Sequence, residues 1–148
     1  MNKKRIFLIL LVVLLLIQFV PTDKSTPAIH STHTFAISAQ PPAEILAQLQ
    51  SSCYDCHSYE TTYPWYAYVA PVSFWIGGHI KNGRKALNFS TWGELSASDQ
   101  KHLLHECAEE IAEGKMPPKG YHRMHPEAYL DAPKKAILEA WLNAQSQL

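Results

Sequence analysis

The chain has 148 residues, 47% of them hydrophobic and 18% charged, and its 13 Lys/Arg balance 13 Asp/Glu. That hydrophobic content excludes wholesale disorder, and the length allows one ordinary domain with little left over once the ends are set aside. From residue 41 onward 9 basic residues face 12 acidic ones with no basic stripe, so nothing in the charge pattern supports nucleic-acid binding.

The chain opens "MNKKRIFLILLVVLLLIQFVPTDK", a basic cluster followed by an apolar run from Ile6 to Val20 broken only by Gln18. As a helix this run covers about 22 Å, which is short for a membrane span and suits a signal peptide. The flanks favour an uncleaved anchor: no small-x-small cleavage site follows closely, and Lys3 to Arg5 can snorkel to lengthen the span. Both readings keep the basic end in the cytoplasm and export the rest. Residues 1–20 are thus a signal anchor or signal peptide. Residues 21–42 hold four prolines and many Ser/Thr without periodicity, which predicts a flexible linker. A folded unit follows over 43–148.

Within that unit, Ile45, Leu46 and Leu49 predict a helix that continues through Tyr54 to His57. Eight of the sixteen aromatic residues lie between Tyr54 and Trp75, where Pro64 and Pro71 break any long element. Glycines 77, 78 and 83 then predict loop with at most a short helix. "SASDQKHLLHECAEEIAEGK" is the clearest helix, with Ser96 or Ser98 as cap, Gly114 as its end, and two apolar rows, Leu103/Cys107/Ile111 and Leu104/Ala108/Ala112. "MPPKGYHRMHPEAYL" reads as irregular because of its prolines. The last helix starts at Asp131, takes Pro133 in its first turn and carries Ile137, Leu138, Trp141 and Leu142. No stretch alternates as a strand, so the expected fold class is all-α.

The chemistry lies in "CYDCH". On a helix Cys53, Cys56 and His57 stand at i, i+3 and i+4 and share one face. Two thiols can then meet the two vinyl groups along one side of a porphyrin while the imidazole reaches its iron; Cys-x-x-Cys-His is the attachment signature of c-type haem. The rivals lack support. A thioredoxin-like dithiol wants a parallel sheet, and a structural zinc site wants four ligands. Cys107, the only other thiol, sits in an apolar row and reads as a core residue. Tyr59, Tyr63, Trp65, Tyr66, Tyr68, Phe74 and Trp75 are candidates for the haem wall, and the Pro64 or Pro71 region for a carbonyl partner of His57.

For the sixth iron ligand the candidates are Met116, Met124, His79, His102, His105, His122 and His125. Met116 is favoured because Gly114 and Pro117-Pro118 hold it in a stiff loop, and a methionine opposite histidine raises the reduction potential. His102 and His105 fall with Glu106, Glu109 and Glu113 on a solvated face, where a weak metal site from His102, His105 and Glu109 is conceivable.

"CYDCHSYETTYPWYAYVAPVSFW", "GRKALNFSTW" and "GKMPPKGYHRMHPEAYL" resemble the haem-binding domain family of exported bacterial c-type cytochromes over most of residues 44–142. The resemblance implies a small cytochrome-c-like helical domain around one covalent haem c, with Cys53 and Cys56 as attachment points, His57 as proximal ligand and Met116 as distal ligand. It also makes Arg84, Asn88 and Trp92 candidates for propionate or haem-edge contacts. The expected function is one-electron transfer at the periplasmic face of the inner membrane, between redox partner proteins near that membrane. The alternatives are a soluble periplasmic carrier released by cleavage, a haem sensor or peroxidase-like domain with an exchangeable sixth ligand, or a haem-free disulfide or metal protein.

Overall fold

The protein, as a computed structural model, is described over residues 2–148. Helix accounts for 68% of it, and no strand occurs among the described residues. The helices are α1 (Lys3–Leu16), α2 (Phe35–Ser38), α3 (Ala43–Ser52), α4 (Tyr54–His57), α5 (Val72–Ala86), α6 (Ala97–Ala112), α7 (Lys119–Met124) and α8 (Ala132–Ser146). The all-α expectation holds.

The core is built where α6 and α8 pack along each other with α3 alongside. Leu138 and Leu142 from α8 meet Leu104, Ala108 and Ile111 from α6 and Ile45 and Leu49 from α3, all buried. Both long helices start as their sequences predict. Ser96 Oγ accepts from the Asp99 amide at 3.2 Å, and Asp131 Oδ1 accepts from the Lys134 amide at 2.9 Å. Gly114 closes the α6 end at φ +68°, in the left-handed region that favours glycine. Ser96→Ala should therefore lower stability by about 1 kcal/mol, read as a shift of the denaturant midpoint with an unchanged slope.

Four expectations are revised. First, the helix predicted to run from Ala43 to His57 is two helices. Cys53, at φ −127° and ψ −36°, breaks it between α3 and α4, although the His57 amide still donates to the Cys53 carbonyl at 2.9 Å. Second, the glycine-rich stretch expected to be loop is the second half of α5, a helix of 15 residues. Gly83 is there for close approach: a Cβ on it would lie 2.7 Å from the Cys56 carbonyl oxygen.

Third, the segment read as flexible linker is packed over its second half. Phe35 is fully buried between Phe89 and Trp92, with edge-on ring contacts of 5.1 and 4.9 Å, and its amide donates to the Phe89 carbonyl at 2.7 Å. One large aromatic ring, with no periodic pattern around it, was enough to draw this segment into the core. Fourth, the hydrophobic N-terminal helix stops at Leu16 after 14 residues, followed by a 3₁₀ turn at Ile17–Phe19. No helix among the described residues is long and apolar enough to cross a membrane, so α1 alone does not support a spanning anchor. It buries none of its residues against the domain.

Candidate haem site

Helices α4, α5 and α6 and the loop after α6 enclose a cavity of about 580 Å³, within the range of cofactor pockets. Cys53, Cys56, His57 and Met116, which the sequence singles out from two distant segments, all line it. Its apolar wall is Leu49, Leu87, Phe89, Leu103, Ile111 and Pro117.

The imidazole of His57 is already set for a metal. Its Nδ1 lies 3.2 Å from the Leu87 carbonyl oxygen. A carbonyl only accepts, so Nδ1 carries the proton and Nε2 is left with its lone pair free. Burial, the largest influence, pulls the His57 pKa below the ordinary histidine value, opposed by hydrogen bonding to Leu87. The neutral, ligating form is thereby favoured. The partner is the carbonyl of Leu87, not the Pro64 or Pro71 region: α5 packs on α4, and Leu87, the extended residue that ends α5, presents its carbonyl to the imidazole. The Phe89 amide donates to the His57 carbonyl at 2.8 Å, holding the same residue from its backbone side.

The thiols sit in apolar surroundings. Desolvation raises the Cys56 pKa to about 11 and that of Cys107 to about 12, and pushes Cys53 up further still. None of the three is disulfide-bonded. Cys53 and Cys56 both line the same largely apolar cavity as free thiols. Cys107 is more than a core thiol. The Leu103/Cys107/Ile111 row of α6 lines the cavity, while Leu104 and Ala108 of the second row are buried in the core.

Among the candidates for a sixth ligand, only Met116 and His79 reach this cavity. Met116 is held by its amide, which donates to the Glu110 carbonyl at 3.1 Å, and by the prolines that follow. His79 lies exposed on α5 with its Nδ1 3.1 Å from the Trp75 carbonyl. Met124 and His125 line a smaller neighbouring cavity of about 110 Å³, where His125 is engaged by Tyr66 Oη at 2.6 Å and Glu127 at 3.2 Å. His122 packs on the Tyr129 ring. His102 and His105 pair with Glu106 and Glu109 on the exposed face of α6, and no group of three His, Cys, Asp or Glu among the described residues is arranged to hold a bare metal ion.

The expected aromatic wall is not there. Of the run from Tyr59 to Trp75 no residue lines the large cavity, and Trp65, Tyr68 and Trp75 are 77%, 63% and 61% exposed. Nor do the other edge candidates face it. Arg84 donates from Nε to the Ser58 carbonyl at 2.7 Å and from Nη2 to Thr61 Oγ1 at 2.9 Å, bracing the chain just after the histidine. Asn88 accepts from the Ser90 amide at 3.0 Å, and Trp92 is buried in the core.

Tyr121 is a lining residue that sequence reasoning missed. Its hydroxyl donates to Asp55 Oδ2 at 2.6 Å, tying α7 to α4 between the two cysteines. The only signal for it was its place in the segment after Met116.

The residues present fit a haem: a largely apolar cavity of cofactor size, two reduced thiols, an imidazole fixed through Nδ1, and a thioether from a separate loop. No curated protein and no solved structure matches the chain. The model of the haem-binding domain family matches residues 12–144, and with most of its length so covered this chain belongs to that family and binds haem.

Proposed function

We propose that the chain is an exported, membrane-attached monohaem c-type cytochrome that carries one electron at a time. The observation that carries this reading is the convergence of Cys53, Cys56, His57 and Met116 on one cavity. In this reading the two thiols hold the haem covalently. Each S–H would add across one vinyl group, the sulfur bonding to one carbon and the hydrogen passing to the other, so no oxidant or reductant would be consumed. His57 would hold the iron through Nε2 and Met116 through its sulfur. When bound, the haem iron provides a site that gains and loses one electron.

The protein's own part is positional. The Leu87 carbonyl fixes the imidazole, Leu49 with Leu103 and Ile111 of α6 would give the haem apolar contact, and the Glu110 carbonyl and Pro117-Pro118 hold the Met116 loop. Axial ligands held by backbone contacts do not have to move when the charge on the iron changes. That favours a carrier over an enzyme, which would need an open iron position.

Its partners are then other redox proteins near the membrane, and its place is the periplasmic face of the inner membrane, with Lys3, Lys4 and Arg5 on the cytoplasmic side. One observation favours a second ligation state. His79, with Nδ1 satisfied by Trp75 and Nε2 free, lines the same cavity as Met116 and would replace it in a bis-histidine, lower-potential haem.

The test is the reduced spectrum of the matured protein with and without carbon monoxide. A six-coordinate, low-spin spectrum indifferent to the gas is expected, and Met116→Ala should make the iron bind it. Ready binding by the unmodified protein would overturn the carrier in favour of a sensor or peroxidase-like site. An unaltered spectrum in Met116→Ala, with loss of the low-spin form in His79→Ala, would assign the sixth position to His79.

A further inference from the structure

The aromatic run between Tyr59 and Trp75 is left without a role once the haem cavity is lined by other residues. Its most exposed large apolar side chains, Trp65, Tyr68, Val69, Val72 and Trp75, follow one another along the edge formed by the 3₁₀ turn at Trp65–Tyr68 and the start of α5. A lone exposed ring needs no explanation, but a contiguous apolar edge does.

The N-terminal segment is tied to this same edge. Gln18 donates from Nε2 to the Ala70 carbonyl at 3.0 Å and accepts the Ala70 amide on Oε1 at 3.0 Å, while Nε2 also reaches the Leu14 carbonyl at 2.8 Å. The single polar residue of the apolar run thus joins the end of α1 to the middle of the aromatic edge. A second tie follows at once: Lys24 Nζ stands 4.6 Å from the Tyr68 ring centroid and 6.0 Å from that of Tyr63. The chain just after α1, whose apolar side chains are exposed, is thus tied to the segment that carries the exposed aromatics.

The dimensions point to what covers it. The 14 residues of α1 give about 21 Å of helix and the 3₁₀ turn at Ile17–Phe19 about 6 Å more. The hydrocarbon core of a bilayer is about 30 Å thick. A segment slightly too short is accommodated by local thinning and by drawing its flanks into the interface. Trp and Tyr are the residues that settle at that level, and they are what the flank here presents.

We propose that Trp65, Tyr68, Val69, Val72 and Trp75 dock on the headgroup–acyl boundary of the bilayer that holds the N-terminal segment. The proposal rests on the membrane-attached reading above and deepens it: the domain does not swing on a free tether but lies against the lipid in one orientation. The small cavity lined by Tyr63, Tyr66 and Trp75 separates the docked edge from the haem cavity and shares Cys56, His79 and Tyr121 with it. Docking therefore turns the Cys56 side of the haem site toward the membrane, where membrane-bound redox partners present their own centres. Lys24 is the one basic residue placed against these rings, and the five docking side chains themselves are uncharged, so their contact with lipid needs no anionic headgroup.

The experiment uses the full, haem-loaded chain reconstituted in phosphatidylcholine vesicles, with plain or brominated acyl chains. Bromine quenches only tryptophans in contact with it. The chain has four, of which Trp92 is buried and Trp141 is packed against the core. The expected result is that brominated lipid removes more than about half of the emission seen in plain lipid, consistent with rings about 5–10 Å deep in the boundary. The Trp65→Ser/Trp75→Ser variant should float with vesicles as before, keep its haem spectrum and lose the bromine effect. If the chain floats but its emission is equal in the two lipids, the docked edge is wrong and the membrane attachment stands. If it does not float, both fall.

Discussion

His57→Ala is expected to abolish the six-coordinate, low-spin spectrum and leave an iron that binds carbon monoxide in the reduced state. The substitution removes the proximal nitrogen, which in this account no other residue can replace: His79, the only other histidine lining the cavity, lies on α5 and not beside the two thiols. It also strips the Leu87 carbonyl of its partner, at a cost of about 1–3 kcal/mol for a buried acceptor left unsatisfied. A merely structural role for His57 predicts the stability loss alone. The spectrum separates the two, and an unchanged low-spin spectrum in the variant would remove His57 from the iron.

The second large effect is expected at a glycine. In a helix interior, Gly→Ala normally gains about 1 kcal/mol from propensity. At Gly83 that gain is opposed by a Cβ 2.7 Å from the Cys56 carbonyl oxygen, 3.3 Å from its carbon and 3.4 Å from the Cys56 Cβ. Two of those atoms are backbone and cannot rotate aside, so α5 has to lift from α4, and overpacking of this kind costs about 1–3 kcal/mol or more. Gly83→Ala should therefore lower the denaturant midpoint and reduce haem incorporation, because the displaced helix also carries the chain that delivers the Leu87 carbonyl. Gly77 and Gly78 lie on the same helix with nothing near their added Cβ. Alanine at either should be neutral or stabilising by up to about 1 kcal/mol. Equal behaviour of all three would show that α5 and α4 are not in close contact.

What could be read in advance follows the range of the interactions involved. Cys53, Cys56 and His57 are local: one turn of helix fixes their common face, even though the longer helix breaks at Cys53. Caps are local too, so Ser96, Gly114 and Asp131 mark their helix ends correctly. Met116 was legible through its flanking Gly and Pro residues, which restrict the loop whatever the fold.

The rest depends on contacts distant in sequence. The Leu87 carbonyl comes from thirty residues beyond His57, and nothing in a carbonyl's own residue announces it. The glycines of α5 carry a turn signal, yet at Gly83 the absent side chain makes room for a neighbouring helix. Composition placed the aromatic residues near the haem because large apolar rings belong in apolar pockets. Which rings face the cavity is decided by how α5 crosses α4, and Phe89 and Tyr121 were brought there while Trp65 and Trp75 were left outside. The two rows of α6 were identified as apolar, but periodicity cannot tell a row that meets protein from one that meets a cofactor.

The central claim is that Cys53 and Cys56 hold a haem covalently in the cavity that His57 and Met116 share. The most direct test is the intact mass of the full chain, matured in a host that attaches c-type haem and then fully denatured. The account predicts the polypeptide mass plus one haem, with the added mass confined to the peptide containing Cys53 and Cys56. Recovery of the bare polypeptide, with haem released into the denaturant or never acquired, would contradict it.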